Sequence, residues 1–234
     1  MSAIPPDPSS NGVLPLEPGD HLTRAEFERR YDAMPHLRKA ELLEGVVYMP
    51  SPVRYRKHGR PTRFLSTWLG NYDAATPGLG GGDNSTIRLD LDNEPQPDLC
   101  LFIDPSFGGK VRISADDYLE GFLDLAVEVA SSSASYDLNV KLDVYRCNGI
   151  QEYLVWRVLD GAIDWFQLHE GQYRRLAPGP DGFLRSVAFP GLWLDPVALL
   201  AGDLARVLRV VQLGTASPEH AAFAARLTAA ATSG

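Results

Sequence analysis

The stretch from Asp124 to Val158 constrains this chain more than any other. Asp124 to Ala130 is a short apolar run rich in Val and Leu, with the length and composition of a buried strand. The polar run Ser131 to Ser135 is of the kind that starts helices. Leu138, Leu142 and Tyr145 then fall at helical spacing, and Asn148-Gly149 is a stop signal. Glu152 to Val158 is apolar again. Strand, helix, strand in these lengths reads as a crossover unit. Two charges interrupt it. Glu128 lies inside the first strand and Lys141 inside the helix, with Asp137 four residues before it. A carboxylate in a buried strand is costly unless a cation or hydrogen bonds meet it.

The remaining segments supply a sheet and its covering. Thr23 with Glu26 three residues on forms a capping box for a helix that runs to about Ala33 and breaks at Met34-Pro35. Gly45 to Met49 predicts a strand. Arg54 to Arg63 holds Arg54, Arg56, Lys57, Arg60 and Arg63 and no acid. Pro61 suits a first helical turn, and Phe64, Leu65, Trp68 and Leu69 form the apolar face that follows. This basic run reads first as a solvated helix entry and second as a phosphate-contacting patch. Thr76 to Asp83 has four glycines without phosphate-loop spacing, and predicts a turn-rich loop before a strand at Ser85 to Leu91. Leu99 to Ile103 predicts a buried strand with Asp98 at its entrance. Ala162 to Leu168, Tyr173 to Leu176 and Phe183 to Ala188 predict an antiparallel meander. Pro196 to Val211 and Pro218 to Ala230 predict helices. Tyr153, Trp156 and Tyr145 are expected in the core, and Trp165 and Phe166 are candidates for exposure.

Residues 1–20 carry five prolines and read as a flexible leader. Residues 21–200 read as one domain, and 201–234 as a helical tail. The net charge is -8, which argues against a protein that coats nucleic acid electrostatically, though not against a local basic patch beside an acidic site. Cys100 and Cys147 lie in apolar segments without metal-ligand spacing, so buried free thiols are expected. No apolar run approaches the roughly 20 residues of a membrane span. A cytoplasmic setting is the default expectation.

Asp98, Glu128 and Lys141 carry the candidate chemistry. If their strands are neighbours, the two carboxylates converge, and a cation is needed to hold both ionised. Hard oxygen ligands without histidine or thiolate favour Mg2+ or Mn2+. Such an ion, with a lysine beside it, suits phosphodiester hydrolysis. From spacing alone, a plain ion pair of Glu128 with Lys141 explains the same residues. A carboxylate-pair sugar hydrolase leaves Lys141 without a role.

Pro97-Asp98, an apolar run, and Val127-Glu128-Val129 resemble the PD-(D/E)XK nuclease superfamily. Glu128, Val129, Ser131, Asp137, Lys141, Tyr145, Gly149, Ile150, Glu152 and Tyr153 follow the longer pattern of a bacterial family of putative restriction endonucleases, the Uma group. Glu41 to Gly45, Ser51-Pro52, His58 and Pro190-Gly191-Leu192 are similar to its flanking segments. The resemblance implies an α/β (α+β mixed) fold: a restriction-endonuclease-like mixed sheet flanked by helices, with the acidic pair and lysine at one edge. It also implies metal-dependent endonuclease cleavage of DNA, with Asp98 and Glu128 as metal ligands. Lys141 stands in the helix rather than two residues after the second acid, where Ala130 stands. Glu41 would be a further acid reaching in from the first helical segment, and His58 a helper or phosphate contact. The alternative is a non-catalytic nuclease-fold module that binds DNA or protein. A homodimer is expected if two strands are cut by paired sites.

Overall fold

The computed structural model describes residues 12–50, 52–131 and 136–232. Most of the expected leader and the expected helix start at residues 132–135 lie outside them. Helix α1 is Arg24–Asp32. Thr23 holds the position before it, but its hydroxyl makes no capping bond. Glu26 turns instead to Arg29 and Arg30, because two guanidiniums on its own helix face outbid a backbone N–H. Strands β1 (Glu41–Leu43) and β2 (Val46–Tyr48) form a hairpin. A π-helical turn, Tyr55–Gly59, leads into α2 (Arg60–Asp73), which buries Phe64, Leu65, Trp68, Leu69 and Tyr72.

The glycine-rich run is a strand, β3 (Leu79–Asp83), not a loop. It pairs antiparallel with β5 (Leu99–Ile103). Glycine is required there by close approach: a Cβ on Gly80 would stand 2.4 Å from the Phe102 ring. The strand expected at Ser85 to Leu91 shrinks to β4 (Ile87–Arg88), which joins β6 (Val111–Ile113) and β7 (Leu119–Gly121) in a small second sheet. The crossover then appears as expected. Strand β8 (Leu125–Ala130) runs parallel to β9 (Glu152–Arg157), joined through a π-helical turn at Asp137–Lys141 and helix α3 (Leu142–Cys147).

Strands β10 (Ala162–His169) and β11 (Gln172–Arg175) continue the sheet as a meander. The expected third meander strand leaves it: β12 (Leu184–Arg185) pairs with β13 (Trp193–Leu194). Buried Glu152 anchors this departure, accepting hydrogen bonds from Ser186, Val187, Ala188 and Trp165. Trp165 is therefore core, at 1% exposure, and Phe166 is half-buried, contrary to their expected exposure. The helix expected over Pro196 to Val211 breaks at Gly202, where φ is +76°, into α4 (Pro196–Ala201) and α5 (Leu204–Thr215). Helix α6 is Pro218–Ala231.

The main sheet has the order β11-β10-β9-β8-β5-β3. Alternation along β8 divides the core. Leu125, Val127 and Val129 face α2 and the C-terminal helices, packing with Trp68, Val207, Val211, Phe223 and Leu227. Ala126 and Ala130 face the opposite layer with Val144, Tyr145 and Tyr153. Glu128 shares this second face by strand period. Cys100 is buried, but Cys147, in the last turn of α3, is exposed. No helix among the described residues is long and apolar enough to cross a membrane.

Candidate active site

Register brings the two acids together. Leu99 pairs with Val127 across β5 and β8, so the next step along the ladder sets Asp98 opposite Glu128. The Val129 N–H donates to Asp98 Oδ2 at 2.9 Å, fixing that carboxylate against the strand that carries Glu128. Both strands are interior to the sheet, so Asp98, just before β5, and Glu128, inside β8, meet in mid-sheet and not at a sheet edge.

The helix side supplies the cation. Lys141 ends the π-helical turn after β8, and a π turn re-aims a side chain relative to a regular helix. Its Nζ lies 2.6 Å from Glu128 Oε1 and 2.8 Å from Glu41 Oε1. Tyr145, one turn on, donates its hydroxyl to Glu128 Oε1 at 3.3 Å, so this core aromatic also has a polar duty. Glu41 Oε1 also accepts the Gln96 N–H at 2.8 Å. It comes from β1, a strand and not a helical segment. His58, in the π-helical turn before α2, completes the set. Its Nε2 is 3.0 Å from Asp98 Oδ2 and its Nδ1 is 3.2 Å from Thr62 Oγ1. The three residues of the nuclease pattern and both proposed helpers therefore converge.

Lys39 also reaches this site, and its sequence position gave no hint of function. Its Nζ lies 3.5 Å from Asp98 Oδ1 and 3.2 Å from Asn84 Oδ1.

Glu41, Asp98 and Glu128 are all buried around Lys141, the only buried Lys or Arg among the described residues, while the partly exposed Lys39 and His58 reach Asp98. Burial alone would raise the Asp98 carboxyl, but the His58 hydrogen bond, the Lys39 charge and the Val129 N–H hold it down at about 2. Glu128 goes the other way. Burial, and then the Asp98, Asp137 and Glu41 charges, push it up against the pull of Lys141. Burial would lower Lys141, yet Glu128 and Glu41 keep it charged, well above its usual value.

This cluster of buried carboxylates is the observation that bears on a metal. Among the described residues no three His, Cys, Asp or Glu side chains share one centre. Two carboxylates suffice for Mg2+, which keeps several waters and takes one or two protein oxygens. The buried Tyr136 hydroxyl, which feels the Glu41 charge and lacks a hydrogen-bond partner, leaves an unmet polar atom in the same pocket. Asp98 and Glu128 fit such an ion by ligand type and by convergence.

The Uma2 family model, described as a putative restriction endonuclease, matches residues 24–198. Among solved structures the chain is similar to a putative nuclease belonging to DUF820 from Anabaena variabilis ATCC 29413. The identity is 13%, covering 72% of this chain and 97% of that one, at a TM-score of 0.49. No curated protein matches the chain. The family match spans well over half of the sequence and contains every residue of the convergent site, and the chain belongs to the Uma2 family.

Proposed function

We propose that this protein is a divalent-metal-dependent endonuclease that hydrolyses DNA phosphodiester bonds. The observation that carries the reading is the convergence of Asp98, Glu128 and Lys141 in one buried cluster, where Glu41 and Glu128 share the single buried ammonium. Asp98 and Glu128 would hold Mg2+ or Mn2+, which supplies Lewis-acid stabilisation of charge on the phosphoryl oxygens. His58 and the Val129 N–H keep Asp98 ionised and oriented. Lys141, held protonated by Glu41 and Glu128, offers positive charge where the phosphorane gains negative charge. Glu41 fixes the direction of the ammonium. A protonated lysine positions and stabilises; it does not abstract a proton. Tyr145 and Tyr153 wall this side of the pocket, and the Tyr153 hydroxyl ties down the Asp137 carbonyl at 3.1 Å.

Plasmid nicking in Mg2+ and in Mn2+ tests the proposal. The parent chain is expected to cut, and Asp98→Asn and Glu128→Gln are expected to lower the rate at least ~100-fold, the order lost when a key electrostatic group goes. Cutting that survives both changes removes the site. Metal-independent DNA binding without cutting would make the chain a non-catalytic module instead. The proposed active unit is a homodimer, and light scattering that gives a monomer under cleaving conditions would remove that part.

A further inference from the structure

We propose that the basic segment Arg54–Arg63 grips the DNA phosphate backbone beside the site, with Tyr55 set against a nucleobase. The identity of the anion rests on the nuclease reading above. Arg54, Arg56, Lys57, Arg60 and Arg63 are all exposed, and none makes an ion pair among the described residues. Most arginines elsewhere are matched: Arg88, Arg157, Arg175, Arg185 and Arg206 each meet a carboxylate, and the other arginines that do not, Arg38, Arg209 and Arg226, are scattered and not clustered. A chain with 30 acidic and 22 basic residues has acids to spare, yet this stretch has no acidic partner.

The placement also works against stability. The cations stand at the start of a helical segment whose first turn holds no acid. Positive charge there opposes the helix dipole. Position gives the cluster its use. His58 lies within the segment and touches Asp98 at 3.0 Å, so the segment passes beside the acidic cluster assigned to the scissile phosphate. Tyr55, at 72% exposure, and Val53, at 68%, stand among them. An exposed aromatic interleaved with cations is a surface on which a base stacks while its phosphates are neutralised. The solvated-helix reading of the sequence accounts for the exposure. It does not account for the missing acids or for the contact with Asp98.

Binding to a fluorescent random-sequence duplex, followed by anisotropy in EDTA and again in calcium, tests this without any target sequence. Each phosphate contact contributes about 0.9 to the slope of log affinity against log salt. The triple variant Arg54→Ala, Arg56→Ala, Lys57→Ala should flatten that slope by about 2 to 3 and weaken binding by roughly tenfold or more near 0.1 M salt. On a single-stranded oligonucleotide, whose bases are free to stack, Tyr55→Ala should weaken binding by roughly tenfold at an unchanged slope, because stacking releases no counterions. A control triple, Lys110→Ala, Arg209→Ala, Arg226→Ala, removes the same charge from exposed positions elsewhere and should leave the slope alone. Melting curves of all variants should overlay the parent. A basic-segment variant that binds like the parent overturns the proposal. So does a control triple with an equal loss, or a parent that fails to bind at low salt. A chain that binds through this segment but never cuts plasmid removes the nuclease reading and leaves this one standing.

Discussion

Lys141 is the residue on which the pocket balances. Its ammonium separates Glu41 from Glu128, and removing it leaves two buried carboxylates without a counter-charge. Deleting one partner of a buried pair costs about 3–5 kcal/mol. Lys141→Met is therefore expected to lower metal-free stability by that order, read as a fall in the urea midpoint at constant slope. An unchanged midpoint would mean that the three side chains do not meet in solution. A second buried acid gives a pH signature away from the site. Burial, and then Glu28 beside it, raise Glu94 to about 8, and its Oε2 lacks a hydrogen-bond partner. The folded chain holds a proton there that the unfolded chain releases near 4.5. Stability should therefore fall as pH rises from about 4.5 to about 8, and Glu94→Gln should flatten that part of the curve. An identical pH profile in the variant would contradict this. At this scale the sequence was informative where a charge broke an apolar run, as at Glu128 and Lys141. It was silent on Lys39 and on the Tyr145 hydroxyl, because a flexible cation in a short segment and an aromatic at core spacing look the same whatever they touch.

Elements position the site through strand register and two irregular turns. The crossover from β8 to β9 was legible because two continuous apolar runs bracket a segment of helical period. The π-helical turns carrying His58 and Lys141 were not, since one extra residue per turn leaves no compositional mark. The glycines of β3 misled for a physical reason. Their flexibility reads as a loop, while each lacks a Cβ where a neighbour crowds in: the Phe102 ring at Gly80, the Cys100 carbonyl at Gly81 and the Ser85 hydroxyl at Gly82. Gly80→Ala should therefore cost about 1–3 kcal/mol through overpacking. A thermal scan checks this, and a variant as stable as the parent would show that the ring can move aside.

For the whole molecule, the C-terminal helices belong to the same apolar core as the main sheet. Val207, Val211, Phe223 and Leu227 pack with Trp68 and Leu154. Burying each is worth about 1.5–3 kcal/mol. Together that is roughly 6–12 kcal/mol, comparable to the 5–15 kcal/mol by which a domain is stable. A chain ending at Asp203 should lose its cooperative unfolding transition by circular dichroism. A sharp transition near the parent's would show that the helices are dispensable. The charge layout at this scale is uneven: the total is acidic, the pocket concentrates buried acids, and an unpaired basic segment borders it. That arrangement is ordinary for a site expecting both a cation and a polyanion, and expensive for one expecting neither.

The central claim is that Asp98 and Glu128 together hold a divalent ion. An anomalous difference map from a manganese-soaked crystal tests it most directly. The expected result is one strong peak within coordination distance of both carboxylates, with Lys141 beside it. A map with no peak between them at saturating manganese, or with its peak at another cluster, would contradict the account.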